Sequence, residues 1–108
     1  TKGHLPVKEY DLFVPLNYND GSPVEQEKLS DLRETLLTRF DGLTYFPQAN
    51  EGYWKMGDVT YKDEIVIFRV LCSDDISVRQ FFEQLKEQLK EDLEQEEILI
   101  VERDADVI

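Results

Sequence analysis

A chain of 108 residues with 41% apolar and 11% aromatic side chains is long enough for one globular domain with its own core, and its composition argues against disorder. Its formal charge of −12, from 24 acids against 12 bases, sets the surface against phosphate backbones, so direct nucleic-acid binding is not expected. The lone cysteine, Cys72, excludes an internal disulfide framework and any multi-cysteine zinc site, and no run approaches the about 18 apolar residues of a membrane span.

Thr1 to Lys8 reads as an N-terminal arm, polar at first and carrying the only histidine, His4. No signal-peptide pattern opens the chain, and a cytoplasmic protein is expected. From Glu9 to Tyr18 the sequence alternates with period two, placing Tyr10, Leu12, Val14, Leu16 and Tyr18 on one side and Asp11, Phe13, Pro15 and Asn17 on the other. That is a strand, and Pro15, which has no N–H, predicts a bulge or the end of regular pairing. Asn19-Asp20-Gly21 turns the chain. Ser22-Pro23-Val24-Glu25 predicts a helix start, with Ser22 as N-cap and Glu25 closing a capping box. The helix is expected to run to about Phe40 with Leu29, Leu32, Leu36, Leu37 and Phe40 as its apolar stripe, ending at Asp41-Gly42.

Leu43 to Phe46 and Gly52 to Lys55 read as the two parts of a bulged strand interrupted around Pro47, and Met56-Gly57-Asp58 as a turn into Val59 to Lys62. The stretch that follows, Asp63 to Cys72, is the most apolar of the chain. Ile65, Val66, Ile67 and Val70 are β-branched, and only Arg69 breaks the run from Ile65 to Cys72. It predicts a central strand covered on both faces. Ser77 with Gln80 predicts a second capping box, Ile76 and Phe81 a hydrophobic staple, and Val78, Phe81, Phe82, Leu85, Leu89 and Leu93 the inward stripe of a second helix. Glu96 to Arg103 reads as a last strand and Asp104 to Ile108 as a tail.

The order βαββαβ is that of an α+β ferredoxin-like plait, a four-stranded antiparallel sheet with both helices on one face. Strands one and three are then central. With Val66, Phe68, Val70 and Cys72 turned to the helices, Ile65, Ile67, Arg69 and Leu71 lie on the opposite face with Phe13 and one side of the last strand. Soluble monomers rarely leave such an apolar patch bare. A homodimer packed sheet to sheet is expected, the alternatives being a cover from the Pro47–Trp54 loop or a face that binds a ligand or protein partner.

No catalytic constellation stands out. His4 and Cys72 are far apart, and Cys72 reads as a small core residue. There is no phosphate-binding glycine loop, no metal-ligand spacing and no sign of a cofactor. Asn17 to Gly21 lacks the spacing of a calcium loop. Between Asp41 and Glu64, however, Tyr45, Phe46, Tyr53, Trp54 and Tyr61 gather with Asp58, Asp63 and Glu64. Aromatic rings beside a carboxylate suit a small ligand or a general base, while cross-strand hairpin pairing accounts for the same residues structurally. Arg69, set among aliphatics, needs a partner from Asp11, Asp63 or Glu64, or else binds a substrate anion. From Glu83 to Asp106 ten acids stand against Lys86, Lys90 and Arg103. A solvated face accounts for them, with a docking face for a basic partner or mimicry of nucleic acid as the sharper readings.

Asp41-Gly42-Leu43-Thr44, Gly52-Tyr53-Trp54-Lys55 and Tyr61-Lys62-Asp63-Glu64 together resemble a family of small bacterial ferredoxin-like proteins of uncharacterised function. The likeness runs from Tyr10 to about Val101 and implies the plait without an activity. The broader fold resembles dimeric α/β barrels, which include cofactor-free oxygenases and isomerases as well as binding and regulatory domains. Two functions are carried forward. One is a dimeric, non-enzymatic module binding a protein or small ligand. The other is a cofactor-free small-molecule enzyme with a pocket near Tyr45, Trp54 and Tyr61.

Overall fold

A computed structural model describes residues 5–108. His4 and the first half of the expected arm lie outside the described residues. The elements are β1 (Leu5–Pro15), α1 (Gln26–Arg39), β2 (Thr44–Met56), β3 (Val59–Cys72), α2 (Ile76–Asp92) and β4 (Leu99–Val107). The strands form one antiparallel sheet in the order β2-β3-β1-β4, an α+β ferredoxin-like arrangement with β1 and β3 at its centre.

The register explains the core. Tyr10, Leu12 and Val14 stand opposite Val70, Phe68 and Val66, and period-two alternation sends all six to the face beneath the helices. Each is at most 3% exposed. Leu29, Leu32 and Leu36 of α1 and Val78, Phe82, Leu85 and Leu89 of α2 close over them. Phe82 stacks on Tyr10 at 4.1 Å and on Phe40 at 5.4 Å between ring centres. Burying a side chain such as Phe68, Leu12 or Leu36 stabilises the fold by about 1.5–3 kcal/mol each.

Several local expectations are corrected. The first helix starts at Gln26, because Ser22 is engaged elsewhere. The Asp20 carboxylate accepts from both the Ser22 amide (2.9 Å) and its hydroxyl (2.5 Å). Asn17 and Pro23 form a β-bridge, and the Val24 amide donates to the Leu16 carbonyl. Glu25 takes the N-cap position without a side-chain cap bond, its carboxylate accepting instead from the Tyr18 hydroxyl. Leu37 falls off the apolar stripe and is 44% exposed. In the second helix Asp75 is the cap, accepting from the Ser77 amide at 2.8 Å. Ile76 is 71% exposed, so there is no staple. The helix ends where Glu94 takes a φ of 54°.

The chain ends are more regular than their composition implies. β1 begins at Leu5 and ends at Pro15, one residue before a last backbone bond to β3, from the Leu16 amide to the Glu64 carbonyl (2.9 Å). β4 begins at Leu99 and continues through the supposed tail, with Lys8 opposite Asp104 and Leu5 opposite Val107. Lys8 Nζ meets Asp104 Oδ1 at 2.5 Å and Glu102 Oε1 at 3.1 Å, so Asp104, which reads as tail in sequence, finds a counter-ion in the sheet. The β2–β3 hairpin is as expected. Its register shifts between Phe46 and Asn50, around Pro47, and it turns at Gly57-Asp58. Gly57 has a φ of 62°, a conformation that glycine adopts at little cost.

Candidate functional site on the open face of the sheet

The helices cover one face of the sheet. Alternation sends to the other face Glu9, Asp11, Phe13 and Pro15 of β1; Phe46, Gly52, Trp54 and Met56 of β2; alternate residues from Val59 to Leu71 of β3; and Leu99, Val101 and Arg103 of β4. Leu99 and Val101 are therefore the side of the last strand that joins Phe13. This face has two parts, a body and a ribbon.

In the body, Phe13 lies between Ile67 and Leu99, and Asp11 between Arg69 and Val101. A charged network crosses the apolar floor. Arg69 donates to both Asp11 oxygens, Nε to Oδ1 at 2.8 Å and Nη2 to Oδ2 at 3.0 Å, a bidentate contact of the stronger kind. Arg103 Nη1 donates to Asp11 Oδ2 (2.9 Å) and Glu9 Oε2 (2.6 Å), and Glu9 also meets Arg69 at 3.0 Å. Asp11 is 3% exposed because the two guanidinium groups roof it. The Arg69 hydrogen bonds, helped by Arg103, hold its carboxyl below the usual carboxylate range against the opposing effect of burial. The Phe46 ring lies 5.1 Å from the Arg69 guanidinium carbon. Of the sequence candidates for Arg69's partner, the structure selects Asp11. Glu9 and Arg103 escaped the sequence reading, because finding them needs the β4 register, although Glu9, Asp11 and Phe13 already share one side by alternation.

The ribbon begins where β1 ends. Pairing with β1 stops at the Pro15–Ile65 pair. Beyond one further bond, from the Leu16 amide to the Glu64 carbonyl (2.9 Å), Glu51–Met56 and Val59–Asp63 run on as two strands paired with each other. Two-stranded ribbons are marginal in water, yet this one exposes Trp54 (43%), Tyr61 (44%), Met56 (61%) and Val59 (52%), all on its open-face side. Trp54 and Tyr61 stack at 5.7 Å with rings 17° apart. Next to them Asp63 is half-buried, and burial pushes its carboxyl above the ordinary value. Among the described residues no cation pairs with it, and the position across the strand is Gly52. The reverse side of the ribbon is polar. There Tyr53 donates to Glu51 (2.6 Å) and Lys62 reaches the same carboxylate at 3.3 Å. The ribbon is thus amphipathic, and its apolar side continues the body's floor.

The candidates from sequence are split by this geometry. Trp54, Tyr61, Asp63 and Arg69 share the open face with Phe13, Ile65, Ile67 and Leu71. Tyr45 does not join them. It points to the helix side, with its ring 4.7 Å from that of Phe68 and the Arg33 guanidinium 5.5 Å above it. Tyr53 sits on the polar side of the ribbon. Within one copy Arg69 and Asp63 are six strand residues apart, roughly 20 Å, so they cannot hold one small molecule together. Two cavities lie elsewhere. One of about 150 Å³ opens between the helices over Val14, Leu32 and Leu89. The other, shallow and polar, lies between Tyr18, Asp20, Lys28 and Glu94. Cys72 is half-buried on the helix side, 3.8 Å from the Lys8 carbonyl, and burial pushes its thiol up, which makes it a poor nucleophile. Among the described residues no cluster of His, Cys, Asp and Glu is placed to hold a metal ion, and no helix is long and apolar enough to cross a membrane.

No family model matches the chain, and no curated protein matches it in sequence. A solved structure, a phage SAM lyase in complex with S-methyl-5'-thioadenosine, superposes with a TM-score of 0.69 over 94% of this chain and 88% of that one, at 14% sequence identity. The likeness is one of fold.

Proposed function

We propose that the protein is a non-enzymatic binding module whose working surface is the open face of the sheet, and that a second copy of the chain covers it. The observation that carries this reading is the apolar stripe from Leu99 and Phe13 through Ile67, Ile65 and Phe46, interrupted at Asp63 and Gly52, to Trp54, Tyr61, Met56 and Val59. Strands about 4.8 Å apart with about 3.4 Å per residue give the body and ribbon together roughly 700 Å² per copy, close to the roughly 800 Å² that each partner contributes to a standard interface. The amphipathic ribbon supports the same reading, since cover on its apolar side would supply what an isolated two-stranded ribbon lacks. The acidic surface argues against engagement of nucleic acid, and a cytoplasmic location belongs to the same proposal. Membership of the small bacterial plait family with the Asp41–Thr44, Gly52–Lys55 and Tyr61–Glu64 segments belongs to this proposal. Sedimentation velocity at micromolar concentration tests it. A dimer is expected, and a clean monomer overturns it.

A second reading is favoured by one observation, the half-buried Asp63, paired with no cation among the described residues, beside the Trp54–Tyr61 stack. Stacked rings with a nearby acceptor suit a planar heteroaromatic ligand, and the phage lyase of the same fold is described with a nucleoside thioether bound. Native mass spectrometry of the purified protein separates the two. Retained small-molecule mass that disappears in Trp54→Ala supports a ligand site, and a bare dimer supports the assembly module.

A further inference from the structure

The open-face residues of β3 read, in order, Tyr61, Asp63, Ile65, Ile67, Arg69 and Leu71. Reversed about Val66, this order maps isoleucine onto isoleucine, acid onto base and Tyr61 onto Leu71. A two-fold axis lying between two facing sheets and crossing the strands sets each strand antiparallel over its own copy, which is the operation that tests such an order. Resting on the reading of the open face as an assembly surface, we infer that two copies meet about an axis at Val66, with Asp63 of each copy against the partner's Arg69.

The alternative registers are worse by their charges. An axis at Ile65 sets Asp63 over the partner's Ile67, and an axis at Ile67 sets Arg69 over the partner's Ile65 and Asp63 over the partner's Leu71. Each buries a charge against an aliphatic, which is costly without a partner. The axis at Val66 instead gives Asp63 a cation, which no described residue of its own chain supplies. Gly52, bare of a side chain across from Asp63, leaves room for a guanidinium. Arg69 uses Nε and Nη2 on Asp11, and its side chain remains 37% exposed, so Nη1 can reach outward. The long arginine side chain accommodates the lateral offset of sheets that cross at about 30°. The same axis lays each ribbon over the half of the partner's sheet that carries Arg69 and Leu71, so the exposed Tyr61 meets the partner's Leu71. It also explains why the ribbon extends past the end of β1: it needs no cover from its own chain.

The test is the dimer dissociation constant of the full chain, measured by sedimentation equilibrium for the wild type, Asp63→Arg, Asp63→Asn, Ile67→Lys and the control Glu64→Arg. Glu64 is the adjacent acid on the opposite side of the strand. The expected result is a dissociation constant at least tenfold weaker for Asp63→Arg, about threefold weaker for Asp63→Asn, and unchanged for Glu64→Arg, with circular dichroism unchanged throughout. Wild-type affinity in both Asp63 variants, with Ile67→Lys monomeric, overturns the Val66 register while leaving sheet-face assembly standing. A monomeric wild type removes the assembly reading itself.

Discussion

Strand β3 shows two fates for one kind of sequence. On its helix side Val66, Phe68 and Val70 are at most 1% exposed. On its other side, equally aliphatic Ile65 and Ile67 are only half-buried, and Leu71 is 50% exposed. Nothing in the residues distinguishes the two sides, since alternation only sorts them. The difference is the cover. Helices α1 and α2 close one face, and the open face retains an apolar floor that no described element of the chain covers. The charged groups repeat the lesson. Asp11 lies in the body with two arginines from its own sheet, whereas Asp63 lies in the ribbon with none.

The comparison can be broken first on the covered side. Phe68→Ala should destabilise the fold by about 3–5 kcal/mol in chemical denaturation. A loss under 1 kcal/mol would mean that the two faces are less different than their exposures imply. On the open side, Ile67→Lys at a half-buried site should cost the monomer only about 1 kcal/mol while weakening association about thirtyfold or more. Co-purification of the variant as a dimer would sever the link between this face and assembly.

Asp11→Asn should cost about 1–2 kcal/mol, the lower part of the range for charge-assisted hydrogen bonds, because both arginines are partly solvated. The sign with pH follows from its depressed folded value. Its contribution is present above the unfolded carboxylate range and is lost as pH falls through the folded value. Asp63 has the opposite sign, because a raised folded value makes the ionised form a burden that is relieved on acidification. In a monomeric Ile67→Lys background, Asp63→Asn should therefore slightly raise stability at neutral pH and lose that advantage in acid. Equilibrium denaturation at two pH values checks both signs. The smallest effect belongs to Leu37→Lys. At 44% exposure it should change stability by no more than about 0.5 kcal/mol, where a buried stripe position would cost several times that.

Much of this was legible in the sequence, for identifiable reasons. Period-two alternation in β1 and β3 gave the core face and the open face residue by residue, and proline at 47 with glycine at 57 located the bulge and the turn. The helix starts were misread because Ser22 and Ser77 match a capping pattern whose role local competition decides. Asp20 engages Ser22, and Asp75 caps two residues ahead of Ser77. The acidic end of β4 looked like a tail because its stability comes from pairing with β1, an interaction nearly a full chain length away in sequence. The candidate site was half-visible for the same reason. Trp54, Tyr61, Asp63 and Arg69 could be named from their chemistry. That Tyr45 turns away while Glu9 and Arg103 join Asp11 depends on strand registers that composition does not specify.

Trp54 is the chain's single tryptophan and stands on the ribbon's apolar side, so its emission reports directly on whether the open face is covered. Diluting the wild type from micromolar to nanomolar while following Trp54 emission alongside mass by light scattering or mass photometry tests the central claim most directly. The account predicts a blue-shifted emission at dimer mass that moves to the red as the mass halves, with Ile67→Lys red-shifted at every concentration. Emission and monomer mass that stay constant across the whole range would contradict it.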